Sequence, residues 1–263
     1  YEFIANVAHY IKKNYPKIFL LVGGPHVSLN PFDCLSDSFD ALCIGEGEYP
    51  TLELVKKLQN KCVPKNIANL WIKNGVEVER NPTRAFVEDI DTLPFPDRDI
   101  WQEWLADNSG LYSVLLGRGC PFQCSYCCNH ALRKLASGAY VRFRKPGSIV
   151  EEIQEIVMRY AQIKEIYLEV ESYPLRDDFT IELCTKLAHF NSTLNHPVSF
   201  GTNIRVTPDS KFENIFEAFK NSNFRFINIG VESGSERVRM QILKRNYSNQ
   251  DIIYTVNLAR KYG

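Results

Sequence analysis

The sequence predicts an α/β chain: a partial doubly wound, Rossmann-like parallel sheet followed by an incomplete β/α barrel. Three observations carry this reading. Short continuous apolar runs alternate with amphipathic helical stretches along most of the 263 residues, as in parallel strands covered on both faces. Glycine-containing loops close several of those runs, at Gly23-Gly24, Gly45-Glu46-Gly47 and Gly117-Arg118-Gly119. From residue 109 onward four strand–helix units follow one another, and a four-strand remnant would leave an apolar edge that natural sheets avoid. The expected organisation is therefore 1–66 as the sheet segment, 67–108 as hairpin and linker, and 109–263 as the leading part of the barrel. With no initiating Met and a glycine closing the last helix, the chain reads as an internal section of a longer protein.

In the leading segment, Phe3, Ile4, Val7, Ala8 and Ile11 recur at helical spacing until Pro16 stops the helix. Ile18 to Val22 reads as a strand, with Gly23-Gly24-Pro25-His26 as the tight loop after it. A second strand is expected over Asp40 to Ile44, followed by Gly45-Glu46-Gly47-Glu48 and an amphipathic helix over Thr51 to Leu58. A glycine pair after a strand is, by itself, only the mark of a turn. Glu46 and Glu48, flanked by glycines, likewise read as part of a structural turn. Asn69 to Lys73 and Val76 to Arg80 predict a β-hairpin that turns at Asn74-Gly75 in the type I′ manner, a connector without chemistry. The proline- and aspartate-rich stretch Asp89 to Arg98 reads as a linker.

In the barrel segment, strands are expected over Tyr112–Leu116, Glu165–Val170, Val198–Thr202 and Phe226–Val231. Ser148-Ile149-Val150-Glu151 has the form of a capping box opening a helix whose apolar face is Ile149, Ile153, Ile156 and Val157. Further helices are expected over Asp178–Phe190, Asp209–Lys220, Ser235–Leu243 and Gln250–Lys261. Barrels of this kind keep their chemistry at the C-terminal ends of the strands. Here those ends carry Glu169 and Glu171, Asn203 and Arg205, then Glu232 and Ser233.

Cys120, Cys124 and Cys127 lie in the loop directly after the first of these strands. Three cysteines within eight residues, among Gly, Pro, Gln and Ser, do not fit an apolar core. Thiolates suit zinc or iron–sulfur clusters. Structural zinc takes four protein ligands, usually as two separated pairs, so three in one loop favour an iron–sulfur cluster with one iron open. Cys128 breaks the spacing and reads as a small packing residue, and His130 as a polar or site-lining group. Cys34, Cys43, Cys62 and Cys184 read as structural.

Cys120-x3-Cys124-x2-Cys127, with aromatic Tyr126 before the third cysteine, resembles the signature loop of the radical SAM enzymes. That resemblance implies that the three cysteines hold a [4Fe-4S] cluster and act catalytically through it. It further implies that the fourth iron is chelated by S-adenosyl-L-methionine, whose reductive cleavage gives a 5′-deoxyadenosyl radical, and that Tyr126 packs near the adenine. By the same resemblance Arg205 approaches the carboxylate of S-adenosylmethionine, while Glu232 and Ser233 approach its ribose or amino group. Many members carry Gly-Gly-Glu after the second strand; here the stretch is Glu169-Val170-Glu171-Ser172, with Glu171 as the stand-in. Val22-Gly23-Gly24-Pro25-His26 and Gly45-Glu46-Gly47-Glu48 resemble the C-terminal part of the cobalamin-binding domain preceding the barrel in one large class of this family. There the glycine pair lets backbone approach the cofactor's nucleotide tail, which makes Gly23 and Gly24 candidate contacts. The Asp-x-His-x-x-Gly loop of that class does not occur in the chain, so no cobalt ligand is assigned, and His26 is not given that role.

The implied activity is hydrogen abstraction, coupled to cobalamin-dependent methyl transfer or rearrangement in the longer protein. A reductant such as flavodoxin or ferredoxin and a small-molecule or peptide substrate are the implied partners. Methylthiotransfer is a second reading, and a non-catalytic electron-transfer protein is a third. The 31 Lys and Arg balance 31 Asp and Glu, so nothing suggests a nucleic-acid footprint. No apolar run approaches about 18–20 residues, and cysteines arranged for metal rather than disulfides point to a reducing, cytoplasmic setting.

Overall fold

The computed structural model describes residues 1–104, 111–160, 162–173, 177–208 and 212–263. Its leading elements are α1 (Glu2–Asn14), β1 (Leu21–Val22), α2 (Pro25–Leu29), β2 (Ala41–Cys43), α3 (Glu48–Gln59), β3 (Leu70–Asn74) and β4 (Glu77–Arg80). Then come α4 (Asp99–Gln102), β5 (Leu111–Leu115), β6 (Gly117–Arg118), α5 (Asn129–Leu132), β7 (Arg142–Phe143) and α6 (Pro146–Arg159). The chain continues through β8 (Glu165–Glu169), α7 (Asp177–Ser192), β9 (Ser199–Ile204), α8 (Glu213–Asn221), β10 (Phe224–Ile229) and α9 (Asn249–Tyr262). Two units result: Tyr1–Glu88 with Cys128–Tyr140, and Asp89–Cys127 with Val141–Gly263.

The first unit holds a four-stranded sheet in the order β1-β2-β3-β4. Only β1 and β2 are parallel; β3 pairs antiparallel with β2, and β4 antiparallel with β3. The expected doubly wound parallel sheet is thus corrected to a mixed one. The reason is visible in β3, where Leu70 and Ile72 are fully buried and alternate with Trp71 and Lys73, so the strand has an apolar face to lay beside β2. The hairpin read as a connector is half of this sheet. Its turn also differs: Asn74 still pairs with Glu77, and Gly75 and Val76 make the loop. Only Gly75 takes positive φ there, the pattern of a type II′ rather than a type I′ turn.

The second unit is built on a parallel four-stranded sheet, ordered β10-β9-β8-β5. Val114, Ile166, Leu168 and Phe200 turn one face of it into a core with Ile149, Ile153 and Ile156 of α6 and Leu183 and Leu187 of α7. The short pair β6–β7 is antiparallel and follows the end of β5. Helix α6 begins at Pro146 rather than Ser148, because proline's fixed φ suits the first helical position. The expected capping box does not form; Ser148 Oγ instead accepts from Arg144 Nη2 at 3.0 Å. The expected helix over 235–243 contains a π-helical turn at Val238–Ile242, and the start expected for α8 at Asp209 lies outside the described residues. Among the described residues no helix is long and apolar enough to cross a membrane.

Candidate active site around the cysteine loop

The cysteine loop leaves β6 and is pinned at several points of the second unit. Gly119 donates its N–H to Glu171 Oε2 at 3.1 Å, which ties the loop's entry to the end of β8. Ser125 donates its N–H to the Leu243 carbonyl at 3.1 Å and its hydroxyl to the Ile242 carbonyl at 2.6 Å. A turn bond from Cys127 N–H to the Cys124 carbonyl, 3.1 Å, folds the last two cysteines toward each other. Cys124 is buried, Cys120 and Cys127 are half-buried, and Cys128 is exposed.

Arg205, two positions beyond Asn203 on β9's C-terminal end, donates from Nη1 to Cys124 Sγ at 3.1 Å. Its guanidinium also lies 3.8 Å from the centre of the Phe122 ring, a cation–π contact. Burial pushes the Cys120 thiol up, with the Phe122 amide and then Arg205 pulling the other way. Among the described residues no three His, Cys, Asp or Glu side chains are arranged to hold a single metal ion. Three soft thiols in one loop are a donor set that suits an iron–sulfur centre.

Tyr126 is 52% exposed, so its ring presents a face to solvent from within the cysteine loop. Its hydroxyl accepts from Arg245 Nη1 at 2.9 Å. The same guanidinium pairs with Glu232 Oε1 at 3.0 Å. Glu232 follows β10 with φ at +63°, a left-handed backbone uncommon outside glycine. Ser233 lies beside it, its carbonyl accepting from Arg239, whose side chain is fully buried. Neither Arg239 nor Arg245 stands out in the sequence, where the first lies in a stretch expected as helix and the second in the connection after it. Of the residues predicted to contact S-adenosylmethionine, Glu171 and Arg205 touch the cysteine loop directly, and Glu232 reaches Tyr126 both by a side-chain hydrogen bond of its own and through Arg245. Ser233 makes no such contact among the bonds described. Asn203 holds the Val170 carbonyl at 2.7 Å while its Oδ1 is buried without a hydrogen-bond partner.

In the first unit Gly23 follows β1, and a Cβ there would come within 3.4 Å of Cys43 Cβ. Gly24 has φ +99° and caps the start of α2. Glu46 is engaged structurally, accepting from the Val87 N–H at 2.8 Å. His26 stacks on Tyr1 with ring centres 4.2 Å apart.

Comparison with known proteins fits this geometry. An uncharacterised methyltransferase of Pyrococcus horikoshii is 27% identical over 264 residues, covering 99% of this chain and 54% of its own. An anaerobic magnesium-protoporphyrin IX monomethyl ester cyclase of Cereibacter sphaeroides is 24% identical over 84% of this chain and 36% of its own. The chain thus spans about half, or less, of the curated relatives it matches. Among solved structures, the radical S-adenosylmethionine methyltransferase TsrM of Kitasatospora setae, with cobalamin and a [4Fe-4S] cluster bound, superposes with a TM-score of 0.73 at 18% identity, covering 98% of this chain and 50% of that one. The cobalamin-dependent S-adenosylmethionine radical enzyme OxsB superposes with a TM-score of 0.71 at 19% identity, covering 98% and 37%. These likenesses describe a shared fold. The radical SAM superfamily pattern itself matches residues 114–263, more than half the chain, from the last residues of β5 through the cysteine loop to α9, and the protein belongs to the radical SAM superfamily.

Proposed function

We propose that this chain is the core of a cobalamin-dependent radical SAM enzyme that abstracts hydrogen from a substrate carbon and completes a methyl transfer or rearrangement. The observation that carries the proposal is the convergence on one loop of three thiols, the Arg205 cation and the Glu171 carboxylate. Cys120, Cys124 and Cys127 would hold a [4Fe-4S] cluster, and Arg205 would hold the Cys124 sulfur in place by its hydrogen bond. When bound, the cluster supplies the electron that splits S-adenosylmethionine into methionine and a 5′-deoxyadenosyl radical. The residues here do the holding. Tyr126 offers a ring for the adenine, and Glu232 and Ser233 offer acceptors for ribose hydroxyls or the amino group. Arg205, between Cys124 and Phe122, is within the same neighbourhood for the methionine carboxylate, whose planar shape suits a guanidinium fork. Glu171 orients the loop through the Gly119 amide.

The cobalamin part rests on the first unit, where Gly23 and Gly24 follow β1 and present bare backbone. Of the superposed enzymes, TsrM holds cobalamin and OxsB is cobalamin-dependent, and the uncharacterised Pyrococcus relative is named as a methyltransferase. Residues 1–66 would then belong to the cobalamin-binding part, 67–108 to the connection, and 109–263 to the barrel. A cytoplasmic setting with a flavodoxin- or ferredoxin-type reductant follows from an oxygen-sensitive cluster that must be reduced.

The test uses the full-length protein, reconstituted anaerobically with iron and sulfide. Dithionite and S-adenosylmethionine should yield 5′-deoxyadenosine, and Cys124→Ala should lose both iron and product. Methyl-labelled S-adenosylmethionine should pass its label to bound cobalamin. Label delivered instead as a methylthio group would favour the methylthiotransferase reading, and S-adenosylmethionine left intact by the reduced protein would leave only an electron-transfer role.

A further inference from the structure

Arg245 is 7% exposed, yet it lies in Leu243-Lys244-Arg245-Asn246, where charge alone would suggest a solvated side chain. All three of its side-chain nitrogens are engaged around one point. Nη1 meets the Tyr126 hydroxyl at 2.9 Å and Glu232 Oε1 at 3.0 Å, and Nη2 meets the Gly230 carbonyl at 3.0 Å. Nε donates to the Tyr247 hydroxyl at 2.7 Å, and that hydroxyl donates on to Gly230 O at 2.7 Å. Gly230 has no room for more: a Cβ there would fall 2.6 Å from Glu232 Oε1 and 3.3 Å from Arg245 Nη2. A guanidinium is a rigid planar fork, so partners bound to it are fixed relative to one another. The partners come from the cysteine loop, from the end of β10 and from nearby Tyr247, and Tyr126 lies 119 positions before Arg245. The neighbouring carbonyls of Ile242 and Leu243 hold Ser125, so one short segment grips two successive residues of the loop.

We propose that Arg245 is a positioning residue that presets the adenosyl side of the S-adenosylmethionine site by locking the Tyr126 ring to the Glu232 carboxylate. This rests on the reading that Tyr126 and Glu232 line that site. Arg245 touches none of the three cluster cysteines in the bonds described, so its role is in affinity and not in cluster retention. Ordering the ring during folding removes that cost from the binding step, which is where preorganisation gains affinity.

The test measures S-adenosylmethionine binding by anaerobic calorimetry on the reconstituted full-length protein, with iron content assayed in parallel. Tyr126→Phe keeps the ring and removes only the hydroxyl. It should weaken binding roughly tenfold to a hundredfold, the loss of one hydrogen bond to a charged partner, with iron unchanged. Arg245→Met should weaken binding at least as much, and the double variant should lose less than the sum of the two single losses, because both remove the same Arg245–Tyr126 bond while the Tyr126–Glu232 bond goes only with the hydroxyl. If Tyr126→Phe binds like the parent while Tyr126→Ala binds weakly, the ring matters and the Arg245 proposal fails. Parental affinity in Tyr126→Ala would remove the underlying reading as well. Additive losses in the double variant would overturn the locking role, and should Arg245→Met not fold, the Tyr126→Phe result decides alone.

Discussion

Single residues in this chain sit under chemical constraints that can be measured one at a time. Burial pushes the Cys43 thiol up to about 11 and the Cys184 thiol up to about 12. Both are almost fully buried, whereas Cys62 and Cys128 are exposed. Alkylation of the native chain at pH 8, read by peptide mass spectrometry, should therefore label Cys62 and Cys128 quickly and leave Cys43 and Cys184 protected until denaturant is added. Equal labelling rates would contradict the burial. The sign of the linkage also follows. A thiol raised in the folded state keeps its contribution below the ordinary cysteine value and loses it as pH climbs toward 11 and 12. Urea midpoints should accordingly fall between pH 8 and 10.5, and fall less in Cys184→Ala once its lower starting stability is subtracted. Gly230→Ala belongs at this scale too. The added methyl would displace Glu232 or Arg245 from a pair already fixed at 3.0 Å. Overpacking of this kind costs about 1–3 kcal/mol, visible as a lowered chemical-denaturation midpoint.

At the scale of elements, α6 is joined to the stretch before α4 and to β7 by buried charge. Glu152 on α6 is 1% exposed and binds Arg98 and Arg144, while Arg144 Nε also reaches Asp91 Oδ1 at 3.1 Å. Removing the shared carboxylate would take a buried ion-pair partner from two guanidinium groups at once, with Asp91 left to Arg144 alone. Glu152→Ala should cost about 3–5 kcal/mol, as breaking a buried pair does, measured by chemical denaturation; a loss under 1 kcal/mol would mean that water reaches the arginines. This scale also shows what a sequence can and cannot convey. Strand and helix identities in the second unit were legible because Val114, Leu116, Ile166 and Leu168 are spaced within their own elements. The cysteine loop was legible because its three thiols lie within eight residues. The mixed sheet was not, because pairing β3 beside β2 depends on register between segments far apart in sequence. Arg239 and Arg245 escaped notice for the same reason: their meaning lies in Ser233, Tyr126 and Glu232, and a lone arginine advertises no partner.

At the scale of the whole molecule, the proposed cofactor contacts divide between the two units. Tyr126, Glu171, Arg205, Glu232 and Ser233 fall in the larger, Gly23 and Gly24 in the smaller. A ligand that binds only the folded form stabilises it by about 2.7 kcal/mol at a hundred times its dissociation constant. In scanning calorimetry of the reconstituted full-length protein, S-adenosylmethionine should raise the transition of the larger unit and cobalamin that of the smaller. A common shift of every transition by either ligand alone would count against that division.

The outer side of β5 has a bearing on how this sheet can be extended. Leu116 turns its N–H to β8, so Ser113 and Leu115, one position out of phase, face away from it. Their carbonyls are taken by Arg98 Nη2 and Arg144 Nη1, each at 3.1 Å. Guanidinium groups seated on edge carbonyls occupy the acceptors that an incoming strand would need. The sheet consequently has a blocked margin at β5, opposite β10 at the other end of its strand order. Growth by strand addition is thereby given a direction, and stray templating of foreign chains is discouraged on the side from which the cysteine loop departs.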